Sequence, residues 1–338
     1  MLLTALALWV ALAVDRWWGE PRGRWHPVVW MGNYLGWAGR HLQRLARQGS
    51  QLAHQGAADA TPDLKAFLLG AIAWSSVAAV VCVASWALQK GLLALPDALG
   101  PIPGGVLAAL LLGLALKPML AWAMLRSEVL AVENALAPAQ GGSLAAGRER
   151  LSWLVSRDVT HLTETQVRES AIESLAENLN DSVVAPIFWF VLLGLPGAAL
   201  YRFANTADAM WGYRGVYKGQ NWEWAGKWAA RVDDGLSWVP ARITALLLAL
   251  VTGGMSLGRL RSEARRTPSP NSGWPMAAMA LALGVRLHKP GVYVLNAVGR
   301  APQTHDMQRA VVYASKVLVA LVFIVQATLL VVATGEVL

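Results

Sequence analysis

The chain has 338 residues, of which 55% are hydrophobic and 15% are charged, and its formal net charge is +8. Soluble domains are about 45–50% apolar and about 25% charged, so this chain has too little polar surface to cover a soluble core of its size. The basic residues lie in segments between apolar runs, which argues against nucleic-acid binding and favours contact with a lipid bilayer.

Cysteine and histidine usage excludes several kinds of site. The single cysteine, Cys82, lies inside an apolar run, so the chain has neither a disulfide framework nor a thiolate metal site. The six histidines are scattered without helical pairing, which argues against a zinc or di-iron centre held by the protein.

Apolar runs predict an all-α polytopic membrane protein that forms one domain over residues 1–338. A helix needs about 20 mainly apolar residues to cross a bilayer. The candidate spans are residues 1–14, 66–88, 104–125, 183–200, 239–257 and 317–335. The first run also resembles a signal peptide, but it lacks a basic start, so a retained helix is expected.

The run 183–200 is ambiguous because Pro186 and Pro196 each remove a helix hydrogen bond. It either crosses the membrane or forms a re-entrant segment. The polar segments between the runs are residues 15–65, 126–182, 201–238 and 258–316. If 183–200 crosses, the Lys and Arg distribution places all of them except 201–238 in the cytoplasm. Within them, 45–63 and 138–147 are predicted flexible loops.

The first polar motif, DRWWGEPRGRWHPVVWMG at 15–32, follows the first apolar run. Asp15, Arg16, Glu20 and His26 either anchor a loop at the headgroups or form a site in which carboxylates hold Mg²⁺ and basic groups meet phosphate.

The second motif occupies residues 156–181. Thr163 and Gln166 form a capping-box pattern, which predicts that a helix begins there. Four carboxylates then recur every four residues and share one broad helical face: Glu169, Glu173, Glu177 and Asp181. Like charges at this spacing repel. The face is therefore either solvated or used to coordinate a hard cation such as Mg²⁺.

Two further motifs follow. In YRFANTADAMWGYRGVYKG, residues 201–219, Asn205 and Asp208 share a helical face, and Arg214 follows. In the segment 265–287, a Pro/Asn/Ser/Gly turn precedes an apolar helix. The free N–H groups of that helix and the nearby arginines could bind phosphate. For residues 201–219, the alternative is that arginine and tryptophan anchor the chain at the membrane interface. For the segment 265–287, the alternative is that a common loop composition occurs there by chance.

In this order, four stretches resemble the adenosylcobinamide-phosphate synthases, the CobD/CbiB family of integral membrane proteins of cobalamin biosynthesis. The stretches are DRWWGEP…HPV, ESAIESLAENLNDSVVAPIFW, NTADAMWGYR and SPNSGWP, and the resemblance covers residues 15 to about 290. It implies ATP-dependent formation of an amide between adenosylcobyric acid and aminopropanol phosphate or ethanolamine phosphate. Cobalt would arrive with the substrate.

The resemblance, combined with residue chemistry, predicts ATP and Mg²⁺ as cofactors. The expected catalytic residues are Asp15, Glu173, Glu177, Asp181 and Asp208, with Glu173, Glu177 and Asp181 as Mg²⁺ ligands and Asp208 or Asp15 as the base. The expected substrate- and phosphate-binding residues are Arg157, Asp158, Asn178, Asn180, Asn205, Arg214, Arg266 and Asn271.

Two departures from the family pattern bear on activity. Met276 stands where an acidic residue is expected after GWP, and the Gly-rich continuation expected after GVRLHKPGVYVLN is missing. These differences leave open a non-catalytic, corrinoid-binding scaffold. A transporter is the other alternative, because Lys117 lies inside an apolar run and an intramembrane charge indicates function.

The resemblance also implies a location and partners. The protein is expected in the bacterial inner membrane with most polar loops in the cytoplasm. Its expected partners are the lipid bilayer and the corrinoid and amino-alcohol phosphate substrates. Association with other cobalamin-assembly membrane enzymes and with further copies of the chain fits the same expectation.

Overall fold

The computed structural model describes residues 1–21, 23–50, 62–137 and 141–335, with the backbone alone for 46–50. In these ranges the chain forms thirteen α-helices and two two-stranded hairpins. The helices are α1 (Leu2–Trp18), α2 (Pro27–Ser50), α3 (Leu64–Leu93), α4 (Leu95–Leu99), α5 (Pro101–Leu116), α6 (Trp122–Leu136), α7 (Leu144–Leu151), α8 (Glu164–Leu179), α9 (Ala185–Trp211), α10 (Lys227–Val251), α11 (Leu257–Ala264), α12 (Gly273–Leu283) and α13 (Thr304–Gly335). The strands are β1 (Val216–Tyr217), β2 (Gln220–Asn221), β3 (Leu287–Lys289) and β4 (Tyr293–Leu295).

Among the described residues, five helical segments are long and apolar enough to cross a membrane. They are Leu64–Leu99, Pro101–Leu136, Glu164–Trp211, Lys227–Val251 and Thr304–Gly335. The prediction of an all-α polytopic membrane protein is therefore confirmed. The first apolar run forms α1, which has 17 residues and packs along α5.

The α9 helix is a hairpin that reverses at Gly194, where φ is 69° and ψ is −157°. The Asp181 carboxylate, which precedes α9, accepts hydrogen bonds from Tyr201 at 3.3 Å and Asn205 at 3.2 Å. A straight helix would separate residues 181 and 205 by roughly 36 Å, at about 1.5 Å per residue. Residues 183–200 therefore leave and return to the same end of the molecule, which is the path of a re-entrant segment.

Both prolines of this hairpin occupy positions that tolerate them. Pro196 lies in the first turn after the reversal, where a helix has no partner for its N–H groups, and Pro186 lies just after the π-helical turn Asn180–Val184. Gln89 of α3 caps the reversal, because its Oε1 accepts a hydrogen bond from the Leu195 amide at 2.6 Å. The hairpin is thus specified locally and held from α3.

The run predicted as one span over 104–125 is interrupted. The α5 helix ends at Leu116, a 3₁₀ turn covers Lys117–Met119, and α6 begins at Trp122. Pro118 cannot donate a backbone hydrogen bond, which explains the break.

Lys117, at this break, is 1% exposed and lies in an ion-pair cluster. Its Nζ is 3.2 Å from the Asp15 carboxylate and 2.7 Å from that of Glu20. Asp15 also accepts a hydrogen bond from the Ala123 amide at 2.8 Å, and His26 lies 3.0 Å from Glu20. Burial raises the pKa of Glu20, but the hydrogen bonds to His26 and Lys117 outweigh it and lower the pKa below its ordinary value.

The polar segments contain more helix than their composition predicts. Residues 45–50 continue α2, and residues 144–147 begin α7, so the predicted loops at 45–63 and 138–147 are shorter than expected. Residues 51–61 and 138–140 of these loops lie outside the described residues.

Candidate functional site

The acidic motif forms α8, and its start was predicted correctly. Thr163 and Gln166 make both hydrogen bonds of the capping box. The acidic face is not solvated, since Glu169 is fully buried and Glu173 is 4% exposed. Glu169 pairs with Arg286 at 3.4 Å. Burying this face requires ionic or hydrogen-bonded partners for its carboxylates.

Glu173 faces a cavity of about 160 Å³. This cavity, the α8 pocket, is lined by Leu154, Val155, Ser156, Arg157, Ser170, Glu173, Ser174, Glu177, Asn178, Lys289 and Tyr293. Arg157 donates a hydrogen bond to Ser170 and another to Glu173 at 3.2 Å. Among the described residues, Oε1 of Glu173 and both Nε and Nη1 of Arg157 have no hydrogen-bond partner. The pocket therefore presents unused acceptors and donors.

Lys289 and Tyr293 complete the pocket from the β3–β4 hairpin, and the sequence motifs missed both. Burial and the charges of Glu173 and Glu177 raise the pKa of Tyr293, so its hydroxyl remains a hydrogen-bond donor. The same hydroxyl lies 3.7 Å from the sulfur of Met276. The residue that departs from the family pattern thus lies beside the pocket.

A π-helical segment, Asn180–Val184, follows α8 and carries Asp181. The wider turn shifts the register after Glu177, and such segments often occur at functional sites. Besides Tyr201 and Asn205, the Asp181 carboxylate accepts a hydrogen bond from Asn180 at 2.8 Å. The motif's last carboxylate is therefore directed to α9.

Asp181 belongs to an aspartate cluster with Asp208, Asp233 and Asp234. Asp233 interacts electrostatically with the other three, and its Oδ1 has no hydrogen-bond partner among the described residues. Glu177 also interacts with Asp181 and Asp208, which connects the cluster to the α8 pocket.

Asn271 joins the segment before α12 to α10. Its Nδ2 donates a hydrogen bond to the backbone oxygen of Asp234 at 2.7 Å, and its Oδ1 accepts one from Arg242 at 2.7 Å. Asn271 therefore has a bracing position. Asn180 braces in the same way, because its Oδ1 accepts a hydrogen bond from Thr244 at 3.0 Å.

Arg214 lines a second cavity, of about 400 Å³, together with Lys227, Arg231 and Asp234. This cationic pocket borders the aspartate cluster, because Asp234 belongs to both the pocket and the cluster. The predicted phosphate-binding arginines are therefore divided between two cavities.

Three predicted site residues belong neither to the two cavities nor to the aspartate cluster and its hydrogen-bond partners. Asp15 pairs with Lys117 at 3.2 Å and accepts a hydrogen bond from the Ala123 amide at 2.8 Å. Arg266 pairs with Glu263 at 3.2 Å and is half exposed. Asp158 is turned toward Thr160, whose backbone and side-chain hydrogen bonds lower the pKa of the aspartate.

The predicted Mg²⁺ ligands do not converge as a set of three. Among the described residues, no three Asp, Glu, His or Cys side chains form a group that could hold a metal ion. Asp181 has protein hydrogen-bond donors, while Glu173 pairs with Arg157. The three carboxylates do not fit as one protein-held Mg²⁺ site, and magnesium itself stays a prediction.

This architecture defines a class, namely polytopic helical membrane proteins with a polar pocket on a buried acidic helix. The chain belongs to the CobD/CbiB family, because the family model described as CobD/Cbib protein matches residues 8–324.

Curated relatives agree with this assignment. The chain is 38% identical over 297 residues to a probable cobalamin biosynthesis protein CobD of Methanothermobacter thermautotrophicus, covering 85% of each chain. It is 40% identical over 285 residues to the cobalamin biosynthesis protein CobD of Chromobacterium violaceum, covering 84% of this chain and 81% of the relative. No solved structure matches the chain. The predicted family is therefore confirmed.

Proposed function

We propose that the protein is a cobalamin biosynthesis enzyme. It attaches aminopropanol phosphate or ethanolamine phosphate to adenosylcobyric acid, with ATP, to give adenosylcobinamide phosphate. Family membership and the names of the relatives support the pathway. The observation that carries the proposal is the α8 pocket, where carboxylates and cations with unused polar atoms face one small cavity.

The reaction requires activation of a carboxylate. The propionate oxygen of the corrinoid attacks the γ-phosphorus of ATP, and ADP leaves with the electrons of the broken P–O bond. The amine nitrogen then attacks the carbonyl carbon of the acyl phosphate. The C–N bond forms, the C–O bond to phosphate breaks, and inorganic phosphate leaves. The ammonium gives up one proton before the attack and a second one after it.

Glu177 is the carboxylate best placed to accept the first proton. It lines the α8 pocket and has no hydrogen-bond partner among the described residues, whereas Glu173 is paired with Arg157. Asp208 remains an alternative base because it interacts with the aspartate cluster beside the pocket. Magnesium, which prefers one or two carboxylates plus substrate phosphates, would enter bound to ATP and neutralise its charge.

Amide synthesis by a Glu177→Gln variant tests this role. General-base catalysis contributes about 10²–10⁴-fold, so we expect the turnover of purified protein to fall by at least about 100-fold. The matched control is Glu149→Gln, on the exposed surface of α7, which should retain wild-type turnover. Wild-type turnover by Glu177→Gln would remove this residue from the mechanism.

Complementation tests the reaction itself. The gene should restore growth of a strain blocked in amide attachment to cobyric acid, and added cobinamide should rescue the same strain without it. Failure of the gene in a strain that cobinamide rescues would contradict the proposal and favour the non-catalytic scaffold that Met276 leaves open.

Transport is the second candidate, but its main sequence argument has weakened. Lys117 is satisfied by Asp15 and Glu20, so its charge has a structural explanation. Corrinoid uptake by sealed vesicles without ATP hydrolysis would support transport against the ligase.

A further inference from the structure

We propose that the α8 pocket is the binding site for the amino-alcohol phosphate, a small zwitterion that carries a primary ammonium group and a phosphate monoester. The inference rests on the proposed function and assigns one of its substrates to one cavity. It also gives Glu177 a ligand to contact, in place of the three-carboxylate metal site that the structure does not assemble.

The size of the cavity selects among the three substrates. The cavity has a volume of about 160 Å³. Pockets for drug-sized ligands are about 300–1,000 Å³, so neither a nucleoside triphosphate nor a corrinoid fits inside this cavity. An amino-alcohol phosphate, with few non-hydrogen atoms, does fit.

The charges of the lining residues match both ends of a zwitterion. Arg157 and Lys289 supply two cations, and Glu173 and Glu177 supply two carboxylates. A pocket for phosphate alone would gain nothing from two buried carboxylates, because they repel the anion. A pocket for an amine alone would gain nothing from the two cations. A ligand that interacts with all four charged side chains must carry both a positive and a negative charge.

Unused hydrogen-bonding atoms give the ligand its orientation. Arg157 is fixed through Ser170 and Glu173 but keeps Nε and Nη1 free among the described residues, and these donors suit a phosphate. Asn178 donates its Nδ2 hydrogens to Ser174, at 2.9 Å to the backbone oxygen, so its Oδ1 is left as an acceptor. Together with Glu177, that oxygen suits an ammonium group, which has three donors and no acceptor.

This orientation places the amine near the base. The ammonium would lie at Glu177, whose charge interacts with the aspartate cluster, while the phosphate would lie at Arg157 and Lys289. The same carboxylate that binds the ammonium is then in position to remove its proton.

Calorimetry on the purified protein in detergent tests the assignment without turnover. The probes are ethanolamine phosphate, ethanolamine and inorganic phosphate. We expect ethanolamine phosphate to bind at least about tenfold more tightly than either of the other two. Equal binding of inorganic phosphate and ethanolamine phosphate would overturn the zwitterion assignment.

Variants locate the binding to this pocket. Arg157→Gln and Lys289→Gln should each weaken ethanolamine phosphate binding about tenfold or more, and Glu177→Gln should weaken it while sparing inorganic phosphate. The control is Arg126→Gln, at an exposed position of α6, which should bind as the wild type does. Arg157→Gln also removes the Arg157–Glu173 ion pair and could impair folding. Lys289→Gln leaves that pair intact, so it tests the binding site independently. Wild-type affinity in Lys289→Gln and Glu177→Gln would overturn the proposal.

Steady-state kinetics separates this proposal from the proposed function. We expect Lys289→Gln to raise KM for the amino-alcohol phosphate about tenfold and to leave KM for ATP unchanged. If Lys289→Gln forms the amide with an unchanged KM for the amino-alcohol phosphate, the proposed binding site is wrong, but the proposed ligase activity stands. If the variants weaken ethanolamine phosphate binding but the wild type forms no amide, the proposed binding site is supported and the proposed ligase activity is refuted.

Discussion

Lys117 has ionic partners that a hydropathy profile does not reveal. As a lone charge in an apolar run it indicates transport or catalysis. In the structure its ammonium group lies between the carboxylates of Asp15, near the end of α1, and Glu20, just after α1. Both residues are far from Lys117 in the sequence. The sequence contains all three residues, but nothing in their spacing shows that they meet.

Lys117→Met tests the cluster. Removing one member of a buried ion pair costs about 3–5 kcal/mol, because the remaining charges are left without a partner. We therefore expect a lower Tm in detergent, with Lys65→Met, at an exposed position of α3, as the unaffected control. Adding Asp15→Asn to Lys117→Met should recover part of the loss. An unchanged Tm in Lys117→Met would show that the pair contributes little.

Site residues could be predicted from the sequence where they are spaced regularly along one helix. The carboxylates of α8 and the capping box that begins it follow from spacing alone. Lys289 and Tyr293 were missed because the β3–β4 hairpin reaches α8 only through tertiary packing. Asp15 was predicted as a base from its residue type, and its contact with Lys117 could not be read from the sequence.

Among the elements, the α9 hairpin is the one that hydropathy alone could not resolve. A re-entrant arm and a crossing helix have similar apolar compositions, and non-helical backbone is tolerated where protein buries it. The distinguishing feature is Gly194, whose positive φ permits the reversal, followed by Pro196 in the next turn. Two residues thus change the path of a segment otherwise read as a span.

Gly194→Ala tests the reversal. The backbone conformation at Gly194, with φ 69° and ψ −157°, is essentially restricted to glycine and costs other residues about 1–3 kcal/mol. The added Cβ would also collide with the side chain of Gln89. We expect a lower free energy of unfolding in detergent. Gly105→Ala, in α5, is the control, because its Cβ would meet only Leu3 at 3.9 Å and alanine favours helix. A Gly194→Ala protein as stable as the wild type would contradict this account of the turn.

At the scale of the whole molecule, the hairpin brings the polar motifs to one side. Asp181 on one arm and Asn205 on the other are in contact, so 126–182 and 201–238 share a face of the membrane. This corrects the sidedness expected if 183–200 crossed. The charge distribution predicts that the shared face is cytoplasmic.

Cysteine labelling tests this sidedness. In a Cys82→Ala background, single cysteines at Trp153 and Lys218 should react with a membrane-impermeant maleimide from the same side of vesicles. A cysteine at Leu99, beyond the far end of α3, should react only from the other side. Labelling of Trp153→Cys and Lys218→Cys from opposite sides would contradict the hairpin.

The Asp15–Lys117 contact bears on how the protein is made. Asp15 belongs to α1 and Lys117 to the 3₁₀ turn that follows α5, so the ribosome delivers Asp15 well before Lys117. Until α5 arrives, the carboxylate at the end of α1 has no counter-ion, and a lone charge is costly in hydrocarbon. We therefore expect the nascent α1 to keep Asp15 at the water boundary until α5 and the turn that follows it dock against α1.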